Sequence, residues 1–433
     1  VSAALSAATR RLLVRAIEEH RGHPPTAHRL REQLDRLDSP LRVAIAGKVK
    51  AGKSTLLNAL VGEQVAPTDA AECTRVVTWY RDGPTPRIVT HPVEGPPVAL
   101  PVRRHSGALV IDLGGTPAAE LDRIVVDWPS QNLRATTLID TPGIASTSTA
   151  TSRRTVAFLD PDDDTPTEAD AVVYLMRHLH ASDAAFLESF RDQGVARATA
   201  VNTVAVVSRA DEIGGGRLDA LVSARGIARR YRGDPVVRGL CQDVVAVAGL
   251  LAQTGRTLRH AEYTAMAELA RLPREELDRD LMSVDRFLRA GDGVARSALV
   301  ERFGIFGIRL AASLIRQGAA TPDALATELV ARSGLTELQR VLHTRFADRR
   351  DLLKARSALL AVESVAPDGP LAREVHRILA ATHDFTELRT LGALRDPTLG
   401  LPRPAVAEAE RLLGDAGGAA AARLGLPPDA PVP

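Results

Sequence analysis

"IAGKVKAGKSTLLNALVG", residues 45–62, decides the fold. Gly47–Ser54 reads G-x-x-x-x-G-K-S, preceded by the β-branched run "RVAIAG" and followed by the helical pattern "STLLNALVG". A strand entering this loop and a helix leaving it make a phosphate-binding cradle. Its glycines let consecutive N–H groups turn toward phosphate oxygens, reinforced by the helix N-terminus. Lys53 reaches the β- and γ-phosphates in such a loop, and the Ser54 hydroxyl binds Mg²⁺. Gly47, Lys48, Val49, Ala51, Gly52 and Thr55 complete the candidate nucleotide contacts.

Lysine is concentrated here. Of 55 lysines and arginines only four are lysines, Lys48, Lys50, Lys53 and Lys354, and three of these fall within six residues of one loop. An ammonium is a compact point charge that a planar guanidinium cannot mimic, which accounts for Lys53. Lys48 has no account from sequence beyond adding positive field.

Three further motifs follow strand-like runs. "ATTLID" (135–140) leads into Asp140-Thr-Pro-Gly143, where Asp140 can hold Mg²⁺ through water and the Gly143 N–H can meet a γ-phosphate. "NTVAVVS" (202–208) leads into "SRAD", and Asp211 can accept from the N1 and N2 donors of guanine, which adenine lacks. Arg209 stands where a lysine stem usually packs on the purine, and its own stem can serve. "VAVAG" (245–249) offers a main-chain N–H at Ala248 for guanine O6. A threonine is expected to close over the γ-phosphate and Mg²⁺: Thr74, just before the run "VVTWY", or alternatively Thr68.

Short β-branched runs alternate with helical patterns from 41 to about 255, the signature of an open, mostly parallel sheet. Thr74 and Asp140 are 66 residues apart, whereas a single hairpin would need roughly 20. Extra strand-like runs near 86–91, 98–103 and 108–112 fill the surplus, so the sheet is enlarged. The expected division is N-terminal helices at 1–40, a GTPase-type α/β domain at 41–255, an all-α bundle or trunk at 256–365 joined by the N-terminal helices, and a helical remnant with a loosely ordered tail at 366–433. "RFGIFGIRLAASLIRQG" (302–318), apolar with basic ends, fits either an interfacial membrane segment or a buried helix. The acidic run "DPDDDTPTEAD" (160–170) reads as a solvated loop.

Composition excludes several classes. A net charge of +2 with interspersed signs and 3% aromatics leaves no stacking platform or basic patch for nucleic acid. No run of about 20 apolar residues spans a bilayer. Cys73 and Cys241 form neither a disulfide framework nor a zinc spacing, and with no signal-peptide pattern the expected compartment is a reducing cytoplasm.

The segments "GKVKAGKSTLLNALVG", "APTDAAECTRVVTWY", "DTPG" and "SRADEIGGGR" together resemble the bacterial dynamin-like GTPases, most closely the isoniazid-inducible dynamin-like proteins of mycobacteria. The resemblance is specific over 41–255 and looser to about 365. It implies a GTP/GDP- and Mg²⁺-dependent hydrolase with a GTPase head on a helical trunk. The resemblance also implies heads that pair with themselves or with a paralogous dynamin-like protein, and peripheral binding to the anionic inner face of the cell membrane, to remodel or fuse it. Carried over by position, Lys53 and Ser54 match the phosphate and Mg²⁺ residues, Thr74 the switch threonine and Asp211 the guanine reader. Val49 and Lys50 depart from the eukaryotic dynamin pattern, which has a water-positioning glutamine and a cation-binding serine there. Valine cannot orient water. The Lys50 ammonium is expected to replace the cation and neutralise charge developing on the phosphates. A non-membrane regulatory GTPase, for example in ribosome assembly, and a weakly hydrolysing GTP-binding scaffold are the alternative readings.

Overall fold

The computed structural model describes residues 2–67, 72–143, 168–189, 202–395, 399–415 and 417–427. Thr68 and residues 160–167 of the acidic run lie outside them. Eleven strands are described: β1 Leu41–Gly47, β2 Val77–Asp82, β3 Arg87–Pro92, β4 Val98–Leu100, β5 Arg103–His105, β6 Ala108–Val110, β7 Leu121–Trp128, β8 Thr136–Asp140, β9 Ala171–Met176, β10 Thr203–Ser208 and β11 Val244–Val247. Nine form one sheet in the order β11-β10-β9-β1-β8-β2-β7-β3-β4, and β5 pairs with β6 apart from it.

β11, β10, β9, β1 and β8 run parallel, and β2 reverses direction beside β8. The parallel strands are apolar on both faces because both are covered. Val43, Ile45, Val173, Leu175, Val204 and Val206 face one core together with the helix Lys53–Val61. Ala44, Ala46, Val172, Tyr174, Ala205 and Val207 face the other. The surplus chain between Thr74 and Asp140 forms β2 to β7, so the sheet is enlarged and mixed, as the spacing predicts.

The helices after residue 256 do not make one bundle. Those from His260 to Ser333 bury Met266, Phe287, Phe303, Phe306, Leu325 and Leu329 in the same core as the Ala44 face of the sheet. A separate core joins the helices Ser2–Glu19 and Pro24–Asp38 to Arg350–Val365, Pro370–Ala381 and His383–Leu394. An amphipathic stripe states that a helix buries one face but not against what. Beyond 366 the described chain is helical at Pro370–Ala381, His383–Leu394, Arg403–Leu412 and Ala420–Leu424. Arg345 and Arg395 clasp Asp415 at 2.6 and 2.8 Å and hold that segment down.

The chain crosses from one face of the sheet to the other at Gly334. Leu325 and Leu329 before it belong to one core, Leu335 and Leu338 after it to the other. The turn passes over the edge strand β11 so closely that a Cβ on Gly334, at φ +84°, would sit 2.1 Å from the Ala246 carbonyl oxygen. Only glycine fits. The crossing also covers the edge of β11, an open template for unwanted pairing in most sheets.

The helix Gly293–Arg316 settles the choice left open for 302–318. Phe303, Phe306, Ile308, Leu310 and Leu314 are buried. Its arginines satisfy protein partners: Arg302 pairs with Glu262 at 2.8 Å, Arg309 donates to Gly216 and Leu281 carbonyls, and Arg316 to those of Ala270 and Leu272. It is a core helix.

Where the small bundle meets the sheet lies a buried charge cluster. Asp170 Oδ1 accepts from Arg36 at 2.8 Å, Oδ2 accepts the Arg42 backbone N–H at 2.9 Å, and the Lys354 ammonium stands 3.8 Å from Oδ2. The Asp170 side chain is 1% exposed, so the acidic run read as a solvated loop ends inside the protein. Burial pushes the Lys354 pKa down to about 8, Asp170 opposing and Arg36, Arg350 and Arg42 adding to it.

Candidate nucleotide-binding site

β1 delivers Gly47 to the carboxyl end of the sheet, where φ is +148° and a Cβ would strike the Leu175 carbonyl oxygen at 2.5 Å. Lys50 (φ +62°) and Gly52 (φ +93°) are left-handed, and the loop closes with Ala51 N–H donating to Lys48 O at 3.1 Å. A non-glycine residue in that region is uncommon, and strain of this kind clusters at ligand sites. Lys50 is solvent-exposed, and Val49 beside it is 49% exposed.

Lys53 opens the helix Lys53–Val61, its Nζ donating to Gly47 O at 3.2 Å and Lys48 O at 3.3 Å. Burial lowers its pKa while the Asp140 charge opposes. Ser54 Oγ donates to Asp140 Oδ2 at 2.8 Å. Asp140 Oδ1 is buried without a hydrogen-bond partner among the described residues, and burial raises the pKa of this carboxyl against Lys53 and Ser54. A dehydrated carboxylate oxygen beside a serine hydroxyl is a fit for a hard cation such as Mg²⁺.

Gly143 packs against the phosphate loop: a Cβ there would meet Val49 Cγ2 at 2.6 Å and its Cα at 2.9 Å. Thr74 lies in the 3₁₀ turn Glu72–Arg75 ahead of β2, whose Thr78 is in register with Asp140. Antiparallel pairing there carries Thr74 past the end of β8, to the side of the sheet that holds Ser54 and Asp140. Its neighbour Cys73 is buried, and burial and the Asp140 charge raise its thiol pKa against backbone hydrogen bonds.

Ala51, Gly52 and Thr55 share one cleft with Arg209, Asp211 and Gly249. The chain leaves β10 at Arg209, left-handed at φ +51°, and turns Asp211 into this cleft. Burial raises the pKa of Asp211, so its carboxylate is poorly solvated, as an acceptor that rejects the wrong base must be. Arg209 donates to Glu212 at 2.6 Å, and Arg177 approaches the other Glu212 oxygen at 3.3 Å.

Two expectations change. Ala248 does not offer its N–H to a ligand: it donates to Ser333 O at 2.9 Å, in the crossing over β11. Gly249 and Leu250, at the start of the next helix, line the cleft instead. Lys48 does more than add positive field: its ammonium pairs with Asp183 at 2.9 Å. Asp183 lies 135 residues away in sequence, and only the scarcity of lysine marks its partner as unusual.

The family model described as a 50S ribosome-binding GTPase matches residues 42–203, the part of the chain that carries the phosphate loop and Asp140. A relative covers far more. The isoniazid-induced protein IniC of Mycobacterium tuberculosis is 43% identical over 438 residues, spanning 97% of this chain and 88% of its own length. This chain belongs to the isoniazid-induced dynamin-like GTPases. The bacterial dynamin-like protein of Nostoc punctiforme is 32% identical over 117 residues, 24% of this chain and 17% of that one. A solved chain from an oligomerised bacterial dynamin pair aligns over 95% of this chain and 69% of its own at 16% identity and a TM-score of 0.36. As a dynamin-like GTPase the protein binds guanine nucleotide and hydrolyses GTP. No helix among its described residues is long and apolar enough to cross a membrane.

Proposed function

We propose that this dynamin-like GTPase uses Mg²⁺-dependent GTP hydrolysis to pair its heads and act on a membrane. The observation that carries the nucleotide part is the single cleft lined by both the phosphate loop and Asp211. Backbone N–H groups of 47–55 and the Lys53 ammonium bind the phosphates, Asp211 reads guanine, and the Arg209 stem flanks the base. Ser54, Asp140 and Thr74 hold Mg²⁺. When bound, that ion neutralises charge on the β- and γ-phosphate oxygens.

Gly143, touching Val49, offers its N–H to the γ-phosphate, so Thr74 and Gly143 close on GTP and release with GDP. Val49 supplies no hydrogen bond to the attacking water. Lys50, held left-handed at the loop's exposed crest, stands in for the serine-bound monovalent cation and adds positive charge beside the phosphates.

Membership of the family supports the rest: pairing with a second copy or a paralogous dynamin-like chain, and peripheral contact with an anionic membrane on its cytoplasmic face. The arginines and apolar groups of 302–318 are engaged within the protein, so the membrane contact lies elsewhere in the chain. GTP turnover with and without anionic liposomes, beside Lys53→Ala, tests the proposal. Liposome-stimulated turnover lost in Lys53→Ala supports it, and turnover indifferent to liposomes, with no co-sedimentation, removes the membrane part.

A further inference from the structure

Lys48 is the second residue of the phosphate loop, yet its ammonium is held from behind. Nζ donates to Asp183 Oδ2 at 2.9 Å, and the Asp183 side chain is 1% exposed. The same oxygen accepts the His180 backbone N–H at 3.0 Å, and Oδ1 accepts the Tyr174 hydroxyl at 2.7 Å. Tyr174 belongs to β9 and stacks on Phe186 with centroids 5.0 Å apart. One carboxylate therefore ties together the phosphate loop, β9 and the turn that opens the helix Ala181–Ser189.

The other end of Lys48 faces the nucleotide site. Its carbonyl oxygen accepts the Ala51 N–H at 3.1 Å and the Lys53 ammonium at 3.3 Å. Fixing the Lys48 side chain thus fixes the carbonyl that closes the loop and steadies Lys53. The residue type follows from the remaining space. With Tyr174 and His180 already on the carboxylate, a single donor is wanted, and an ammonium supplies one without the second arm of a guanidinium fork.

We propose that Asp183 is a positioning residue for nucleotide binding, preorganising the phosphate loop through Lys48. This rests on residues 47–54 being the phosphate cradle. A charge-assisted bond to a buried carboxylate restricts the loop before the ligand arrives, so less ordering is left for binding to offset. The ammonium is spent on Asp183, and the direct phosphate charge comes from Lys53.

The test is the affinity and dissociation rate of a fluorescent GDP and a non-hydrolysable fluorescent GTP analogue for the full chain. The variants are Asp183→Asn, Lys48→Met, their double mutant and Tyr174→Phe, with thermal unfolding run on each. Asp183→Asn and Lys48→Met each weaken binding about tenfold, mostly through faster release, and the double mutant is no weaker than either single. KM rises while kcat at saturating GTP changes less than about threefold. Tyr174→Phe keeps the ring stack and moves affinity the same way by a smaller factor. If Asp183→Asn does not fold, Lys48→Met and Tyr174→Phe carry the test. Tighter binding in Asp183→Asn would mean that Asp183 merely masks a phosphate ligand, and would overturn the inference. So would unchanged affinity in Asp183→Asn, or in Lys48→Met and Tyr174→Phe if those must carry the test, or additive losses in the double mutant. No binding by the unmodified chain would instead remove the phosphate cradle itself.

Discussion

Replacing Lys354 by methionine should stabilise the protein at neutral pH and lose that advantage as the solution is made alkaline. Asp170 already has Arg36 at 2.8 Å and the Arg42 N–H at 2.9 Å, so Lys354 is a surplus buried cation 3.8 Å away. Its pKa is pushed from 10.5 down to about 8. Between those values the unfolded chain holds a proton that the folded chain has lost, so stability rises with pH across that window. Below about 8 both states are protonated and the cost of the buried charge is complete.

At 1.36 kcal/mol per unit, the 2.5-unit depression is worth about 3 kcal/mol at pH 7, of which roughly 2–3 kcal/mol is relieved by pH 10. The Arg36 carbonyl that Lys354 contacts keeps the Ser39 N–H and hydroxyl as donors, so methionine strands no acceptor there. Urea unfolding of both proteins at pH 7, 8, 9 and 10 gives the comparison, and the difference between them cancels the cysteines and tyrosines that titrate in the same range. The methionine variant should be more stable at pH 7 by up to about 3 kcal/mol and by less than about 1 kcal/mol at pH 10. A difference flat in pH, or a variant weaker by several kcal/mol throughout, would refute a depressed Lys354 and show that its pairing with Asp170 dominates.

Gly143→Ala puts a methyl group 2.6 Å from Val49 Cγ2 and forces the loop and the 141–143 turn apart. GTP turnover should fall on the order of 10- to 100-fold; GDP, lacking the γ-phosphate, should bind within about threefold of normal, a split that equilibrium binding and turnover assays can read. Lys50→Ala should lower turnover at saturating GTP by about tenfold, and the unmodified enzyme should be indifferent to K⁺ versus Na⁺; strong potassium activation would contradict the role given to this ammonium. Gly334→Ala combines a left-handed backbone with a 2.1 Å approach to Ala246 O, so it should cost on the order of 3 kcal/mol in unfolding experiments. Because the same crossing accepts the Ala248 N–H, guanine nucleotide should also leave that variant faster.

The strands were readable because a parallel sheet covered on both faces demands continuous β-branched runs, as in "RVAIAG" and "NTVAVVS". The loop at 47–54 was readable because glycine, lysine and serine are needed there at fixed spacing. What escaped depends on partners distant in sequence. The stripe that buries Phe303 and Phe306 looks the same whether its cover is another bundle helix or the sheet itself. Ala248 sits where a purine-facing N–H belongs, but Ser333, across the β11 edge, takes that donor. Lys48 and Lys354 stood out by rarity, while the buried carboxylates that hold or neighbour them, Asp183 and Asp170, carry no local signal.

In the proposed function, the cleft between the phosphate loop and Asp211 selects guanine through a half-buried carboxylate. Calorimetric titration with GTP, ATP and xanthosine triphosphate, on the unmodified chain and on Asp211→Asn, measures it directly. The unmodified protein should take up GTP and exclude ATP. Asp211→Asn should lose about 10- to 100-fold toward GTP and gain toward xanthosine triphosphate, whose 2-oxo group meets the new amide donor. Equal affinity for GTP and ATP, or an Asp211→Asn variant that binds GTP as before, would contradict the account.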